Sequence, residues 1–116
     1  MRSRTIAAMA ALTAAVALLF APAAGASIIE SATTEQWDEG TRYIVTPTEA
    51  GRTMGAQVSS YNADADMTNA GIPVTETLAR QLFCHVIFAA DKATWNLEDW
   101  RPVVGDTQMM NTQCNP

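Results

Sequence analysis

The sequence is short of the side chains from which metal and redox sites are usually built. It contains one histidine, His85, and two cysteines, Cys84 and Cys114, among 116 residues. A structural zinc site usually takes four cysteine or histidine ligands, and no C-x-x-C redox motif occurs. The composition therefore predicts no metal site and no cofactor.

Basic residues are also few. Seven lysines and arginines stand against twelve acidic residues, which gives a formal net charge of −5 at pH 7. Binding to nucleic acid or to an anionic membrane requires a basic stripe or patch. We therefore expect neither of them as a partner.

The longest apolar run, Ile6–Phe20, lies near the N-terminus and is shorter than the roughly 20 residues of a membrane-spanning helix. Two arginines precede it, and Ala24 and Ala26 complete an A-x-A site, which is the organisation of a secretory signal peptide. We expect cleavage between Ala26 and Ser27, so that residues 1–26 are removed.

The same segment predicts the export route. Arg2 and Arg4 are separated by Ser3, so the twin-arginine signal is not met and the general secretory pathway is expected. No cysteine at the cleavage site and no later apolar segment offers an anchor. Residues 27–116 are expected to be a secreted, monomeric product without a transmembrane anchor.

A domain of this size benefits from a covalent link, because a short chain buries a modest fraction of its surface on folding. Cys84 and Cys114 lie in the exported part, where oxidising conditions favour a disulfide between them. The chain-entropy model gives such a link roughly 3–4 kcal/mol of stabilisation. A structural disulfide is favoured over a redox or metal-binding pair.

Two runs rich in β-branched residues predict an N-terminal β-hairpin. They are Ser27–Trp37 and Thr41–Pro47, with a turn at residues 38–40 between them. Thr48 is then predicted to cap a short helix, although Gly51 and Gly55 each weaken it by about 1 kcal/mol relative to alanine.

The clearest helix follows the N-cap residue Thr75. Its apolar positions recur at helical spacing and predict a core-facing stripe: Leu78, Leu82, Val86 and Ala89. Beyond it, an extended segment through Trp95 and Trp100 and a helical turn within Thr107–Gln113 are expected. The predicted fold class is α+β: a small single domain in which the hairpin packs on a helix from about Glu76 to Ala90, with one disulfide.

Residues 62–73 are predicted to form a loop. Asp64 and Asp66 within it suggest calcium, but D-x-D alone lacks the other ligands of a calcium loop, and solvated acids are favoured. A secreted protease inhibitor would need a rigid exposed loop, and this segment is the candidate for it.

The segment Trp95–Gly105 is the candidate binding surface, formed by Trp95, Glu98, Trp100 and Arg101. Indole rings serve either as core packing or as an exposed platform for a sugar, peptide or lipid. Packing is favoured, with at least one ring expected to be mostly buried. Arg101 is expected to stack on an indole or to pair with Glu98.

His85 is the candidate catalytic residue, because a histidine with a carboxylate and a hydroxyl forms a hydrolytic site. Glu98 or Asp99 could supply the carboxylate, but no such triad assembles within the helix itself. A structural histidine bonded at the edge of the core is favoured.

The run from Phe83 to Gly105, FCHVIFAADKATWNLEDWRPVVG, with VTPTEAGR upstream and CNP at the end, resembles a family of small secreted actinobacterial proteins catalogued as a domain of unknown function. The resemblance covers Gln36–Pro116, and Asp99 stands where a proline is expected. It implies export, as in mycobacteria and their relatives, and implies no activity or catalytic residue.

The sequence thus favours a secreted, non-enzymatic protein that binds a cell-envelope or extracellular component. A small secreted hydrolase using His85 and a secreted protease inhibitor remain the alternatives.

Overall fold

The computed structural model describes residues 27–116, so the expected signal peptide and its cleavage residue Ala26 lie outside the described residues. Within this range the chain forms a small α+β domain with a three-stranded antiparallel sheet in the order β1-β2-β3. The predicted fold class is confirmed.

The N-terminal hairpin is formed by β1 (Ile29–Trp37) and β2 (Gly40–Pro47), as predicted. The outer residues of β1 are mostly exposed, whereas Tyr43 and Val45 of β2 are buried against the helices. Strand β2 therefore alternates between a core face and a less buried face, as expected for a sheet covered on one side, whereas most of β1 is exposed.

A third strand, β3 (Trp95–Glu98), pairs antiparallel with β2. Val45 lies opposite Trp95, and Tyr43 lies opposite Leu97, so apolar side chains from both strands meet on the core face. The sequence predicted extended backbone here but not the partner strand, because strand pairing over a long sequence separation leaves no local signal.

Short helices follow the hairpin. Helix α1 (Glu49–Thr53) begins where predicted, and the Thr48 hydroxyl accepts a hydrogen bond from the Gly51 amide at 3.0 Å. It does not continue as an α-helix, because Gly55 adopts a φ of +58° and starts a 3-10 helix, Gly55–Ser60. The helix predicted to be weakened by Gly51 and Gly55 is thus a short α-helix followed by a 3-10 helix.

The loop prediction for residues 62–73 is wrong over α2 (Asp64–Asn69). The Asn62 side chain accepts from the Asp64 amide at 3.0 Å, and Met67 is fully buried, so a local bond and core packing together stabilise this short helix. Asp66 accepts from Tyr61 at 2.6 Å and from the Ile28 amide at 3.1 Å. These protein contacts occupy the carboxylate for which calcium was considered.

Helix α3 (Glu76–Phe88) is the predicted long helix, and the Thr75 hydroxyl accepts from the Leu78 amide at 3.3 Å. Its predicted stripe is buried: Leu78, Leu82, Val86 and, just past its end, Ala89. They pack with the sheet residues into the main core.

The C-terminal segment folds back onto α3 through α4 (Asp106–Asn111) and the disulfide between Cys84 and Cys114. The predicted pairing is confirmed, with the two Cα atoms 5.5 Å apart. Both cysteines are buried with Met109 in a second, smaller apolar cluster. Among residues 27–116, no helix has the length and apolarity needed to cross a membrane.

Candidate binding surface

Trp95, the first of the four predicted binding residues, is completely buried. Its indole Nε1 donates to the Ala89 carbonyl at 2.8 Å, so the polar end of the ring is satisfied inside the core. The expectation that at least one ring packs in the core is met here. Trp95 does not belong to a surface that could contact a partner.

Glu98 is also buried, with 2% of its surface exposed. One carboxylate oxygen, Oε2, accepts from Arg42 Nε at 2.9 Å and Nη2 at 2.7 Å, and the other, Oε1, accepts from Arg101 Nε at 2.8 Å. One carboxylate thus fixes two guanidinium groups. Charge-assisted hydrogen bonds of this kind define geometry as well as contribute energy.

The second predicted tryptophan, Trp100, lies at the surface beside Trp37, which the sequence analysis did not select. Their ring centroids are 6.2 Å apart at an interplanar angle of 36°. Trp37 is 46% exposed, and Trp100 is partly exposed. Two indoles from distant parts of the chain therefore form one aromatic surface.

Each indole carries an arginine. The Arg42 Cζ lies 4.2 Å from the Trp37 ring centroid, and the Arg101 Cζ lies 5.5 Å from that of Trp100, both within cation–π range. Arg101 therefore makes both contacts considered from the sequence, the stack and the ion pair. We call the set Trp37, Arg42, Trp100 and Arg101, held by Glu98, the tryptophan–arginine surface.

The hairpin turn brings these residues together. Asp99 accepts from the Thr41 amide at 2.9 Å and donates its own amide to the Thr41 carbonyl at 3.1 Å, which extends the pairing of β2 with β3. Gly40 has a φ of +154°, and a Cβ there would overlap the Asp99 carboxylate. A glycine is therefore needed where the hairpin turn approaches Asp99 and Trp100.

The sequence places Trp37 and Arg42 on either side of the hairpin turn, but their part in the site becomes evident only from the pairing of the strands. In β1 and β2, Trp37 is the residue before the turn, and Arg42 is the second residue after Gly40. Their proximity to Glu98 and Trp100 follows from the register of β3, in which Arg42 lies opposite Glu98.

His85 lies inside the domain, with 4% of its surface exposed. Its Nδ1 is 2.7 Å from the Gln81 carbonyl, which only accepts, so Nδ1 is the donor. Burial lowers the pKa of the imidazole, and the bond to Gln81 opposes this effect. The ring packs 6.2 Å from Trp95, and no hydroxyl side chain is hydrogen-bonded to it within the described residues.

Chemically, the tryptophan–arginine surface offers flat apolar rings flanked by fixed hydrogen-bond donors. Such a surface can stack on the apolar face of a ligand and donate to its oxygens. Residues 27–116 contain no group of three or more His, Cys, Asp or Glu side chains that could hold a metal ion.

Comparison with known proteins gives a family match. The model of a family described as protein of unknown function (DUF2599) matches residues 29–116. Similar chains are an uncharacterized protein of Mycobacterium bovis and uncharacterized proteins of two Mycobacterium tuberculosis strains. Each is 32% identical over 103 residues, which covers 82% of this chain and 70% of the relative. No solved structure matches the chain.

Proposed function

This chain belongs to the family described as protein of unknown function (DUF2599), and we propose that it is an exported, non-enzymatic protein that binds a glycan of the cell envelope or extracellular space through the tryptophan–arginine surface. The observation that carries the proposal is the pair of surface indoles, exposed Trp37 and partly exposed Trp100, with ring centroids 6.2 Å apart and an arginine at each ring.

The chemistry of the surface favours a sugar chain. The C–H face of a pyranose packs on an indole, and the hydroxyls of the same ring accept hydrogen bonds from guanidinium groups. Arg42 and Arg101 flank the indoles without leaving a net positive charge, because Glu98 and Glu35 face them at 2.7–3.5 Å. A polyanion therefore gains little here, and a neutral glycan fits better.

The surface is already ordered before a ligand arrives. Each long side chain that is ordered on binding costs about 0.5–1.5 kcal/mol. Binding does not incur this cost for Arg42 and Arg101, because the buried carboxylate of Glu98 already orders both side chains in the folded protein. Preorganisation of this kind supports binding by a small surface.

Export supports the same proposal. The N-terminal segment has the pattern of a secretory signal peptide, and the Cys84–Cys114 disulfide is typical of proteins that fold in an oxidising compartment. A protein in that location meets envelope and extracellular glycans directly.

Co-sedimentation of the oxidised protein with washed mycobacterial cell envelope tests the proposal. We expect Trp37→Ala and Trp100→Ala to reduce retention at least tenfold, and soluble envelope polysaccharide to compete with the native protein. Val74→Ala is the control, since Val74 is an exposed apolar residue, 46% exposed, that belongs neither to this surface nor to a cavity described below. Equal retention of the tryptophan variants and the native protein would overturn the assignment of this surface.

A further inference from the structure

A second surface, between the end of α3 and α4, exposes large apolar side chains. Ile87, Phe88 and Met110 are 38%, 58% and 48% exposed. They border two adjoining cavities of about 250 Å³ and about 510 Å³, which share Phe88 and Met110. We call these two cavities together the α3–α4 groove.

The groove is bordered by the disulfide and by charged residues. Cys84 lines the smaller cavity and Cys114 lines the larger, so the disulfide links the linings of both. Arg80 and Asp106 line the smaller cavity, and Lys92 lines the larger. A largely apolar groove bordered by cations suits an amphiphilic molecule with an acidic head group.

The two basic residues that line the groove are less firmly paired than the other basic residues of 27–116. Of the basic residues in 27–116, Arg42 and Arg101 are held by Glu98. Arg52 donates to the backbone carbonyls of residues 90, 92 and 93. The remaining two, Arg80 and Lys92, both line the groove, and Lys92 has no ion pair within the described residues.

Arg80 is held from the groove side by a single exposed carboxylate. Its Nη2 donates to the Val104 carbonyl at 2.9 Å and to Asp106 at 3.2 Å, whereas its buried Nε has no acceptor within residues 27–116. The Asp106 side chain is fully exposed, so this ion pair is weak and readily exchanged. A carboxylate from outside could replace that of Asp106 with no loss in the type of bond.

We propose that the α3–α4 groove binds a single-chain fatty acid, with its carboxylate on Arg80 and its alkyl chain over Phe88 and Met110. The cavity volumes fall in or near the range of small-molecule sites, about 300–1,000 Å³. The alkyl chain covers apolar surface that is otherwise exposed in an acidic protein. Lys92, an exposed cation, lines the larger cavity.

Calorimetric titration of the oxidised protein with tetradecanoate below its micelle concentration tests the site, with methyl tetradecanoate as the uncharged probe. We expect saturable binding of the acid at one site, at least tenfold tighter than that of the ester. Phe88→Asp should weaken binding of the acid at least tenfold, because it places a like charge in the groove. Trp37→Ala, the matched control on the other surface, should bind as the native protein does.

Asp106→Asn gives a test in the opposite direction. Removal of the competing carboxylate should tighten binding of the acid severalfold and leave binding of the ester unchanged. Arg80→Gln should abolish the preference for the acid over the ester, and thermal unfolding of each variant verifies that it is folded. No saturable binding, equal affinity for acid and ester, or an unaffected Phe88→Asp variant would each overturn the proposal.

Discussion

The side chain of Gln81 pairs with the backbone of Glu98 as a neighbouring strand would. Gln81 Nε2 donates to the Glu98 carbonyl at 2.8 Å, and its Oε1 accepts from the Glu98 amide at 2.8 Å. Asn115 continues along the same edge, donating to Gln81 Oε1 at 3.1 Å and to the Asn96 carbonyl at 3.0 Å. A helix side chain and the C-terminal tail thereby close the free edge of β3.

Replacement of Gln81 by leucine should destabilise the domain by about 2–4 kcal/mol. Both backbone groups of Glu98 would then be buried without partners, and each such group costs about 1–3 kcal/mol. Urea unfolding measures the change, with Gln57→Leu, at an exposed position, as the control. Equal midpoints for the two variants would contradict a role for Gln81 at this edge.

Glu98→Gln should be among the most damaging single-atom changes. Removal of one partner from a buried ion pair costs about 3–5 kcal/mol, and here two guanidinium groups lose their shared carboxylate. Glu35→Gln, which touches Arg42 from an exposed position at 3.5 Å, should cost less than about 1 kcal/mol. Denaturant unfolding of both variants compares them, and similar losses would show that burial of Glu98 does not set its contribution.

Replacement of Trp95 and replacement of Trp37 should change stability by different amounts, because the first ring is buried and the second is exposed. Trp95→Ala removes a fully buried ring and should cost about 3–5 kcal/mol. Trp37→Ala changes an exposed side chain and should cost less than about 1 kcal/mol. Thermal unfolding measures both, and a Trp37 variant as unstable as the Trp95 variant would mean that the tryptophan–arginine surface is structural.

The buried His85 should make stability depend on pH. Burial lowers the pKa of His85, an effect that Lys92 reinforces, while the bond to Gln81 and the charge of Glu98 oppose it. The unfolded chain, with a histidine pKa of about 6.5, therefore binds more protons than the folded chain. The free energy of unfolding that depends on a neutral His85 is therefore full above about pH 6.5 and decreases as the pH falls below that value.

The check is urea unfolding of the native protein and of His85→Gln at pH 7.5 and 5.5. We expect the native protein to lose more stability between these values than the variant, since both share every carboxylate. The same loss in both would contradict burial of a neutral imidazole.

The sequence predicted contacts between residues that are near one another in the chain better than contacts between residues that are far apart in it. The hairpin, the Thr48 and Thr75 caps and the stripe on α3 are local, and all were predicted. The disulfide was predicted because two cysteines allow one pairing. Local patterns thus account for the elements and for the covalent link.

The site was predicted in part, for the same reason. Trp100, Glu98 and Arg101 were selected as neighbours in sequence, whereas Trp37 and Arg42 join them through the pairing of β2 with β3. Trp95 was selected with them, but alternation along β3 directs it into the core while Glu98 lies against Arg42 on the other face. The sequence shows the alternation but not which face is covered.

The position of β3 in the sheet has a consequence for the order of folding. Arg42 and Glu98 are 56 residues apart in sequence, whereas β1 and β2 adjoin across a two-residue turn. Strands that are far apart in sequence can pair only after the intervening chain has closed into a loop. The loss of chain entropy on closure slows this step of folding. A chain that emerges N-terminus first therefore presents the hairpin with Tyr43 and Val45 uncovered until Trp95 and Leu97 arrive. During that interval the hairpin exposes apolar side chains that the finished domain buries.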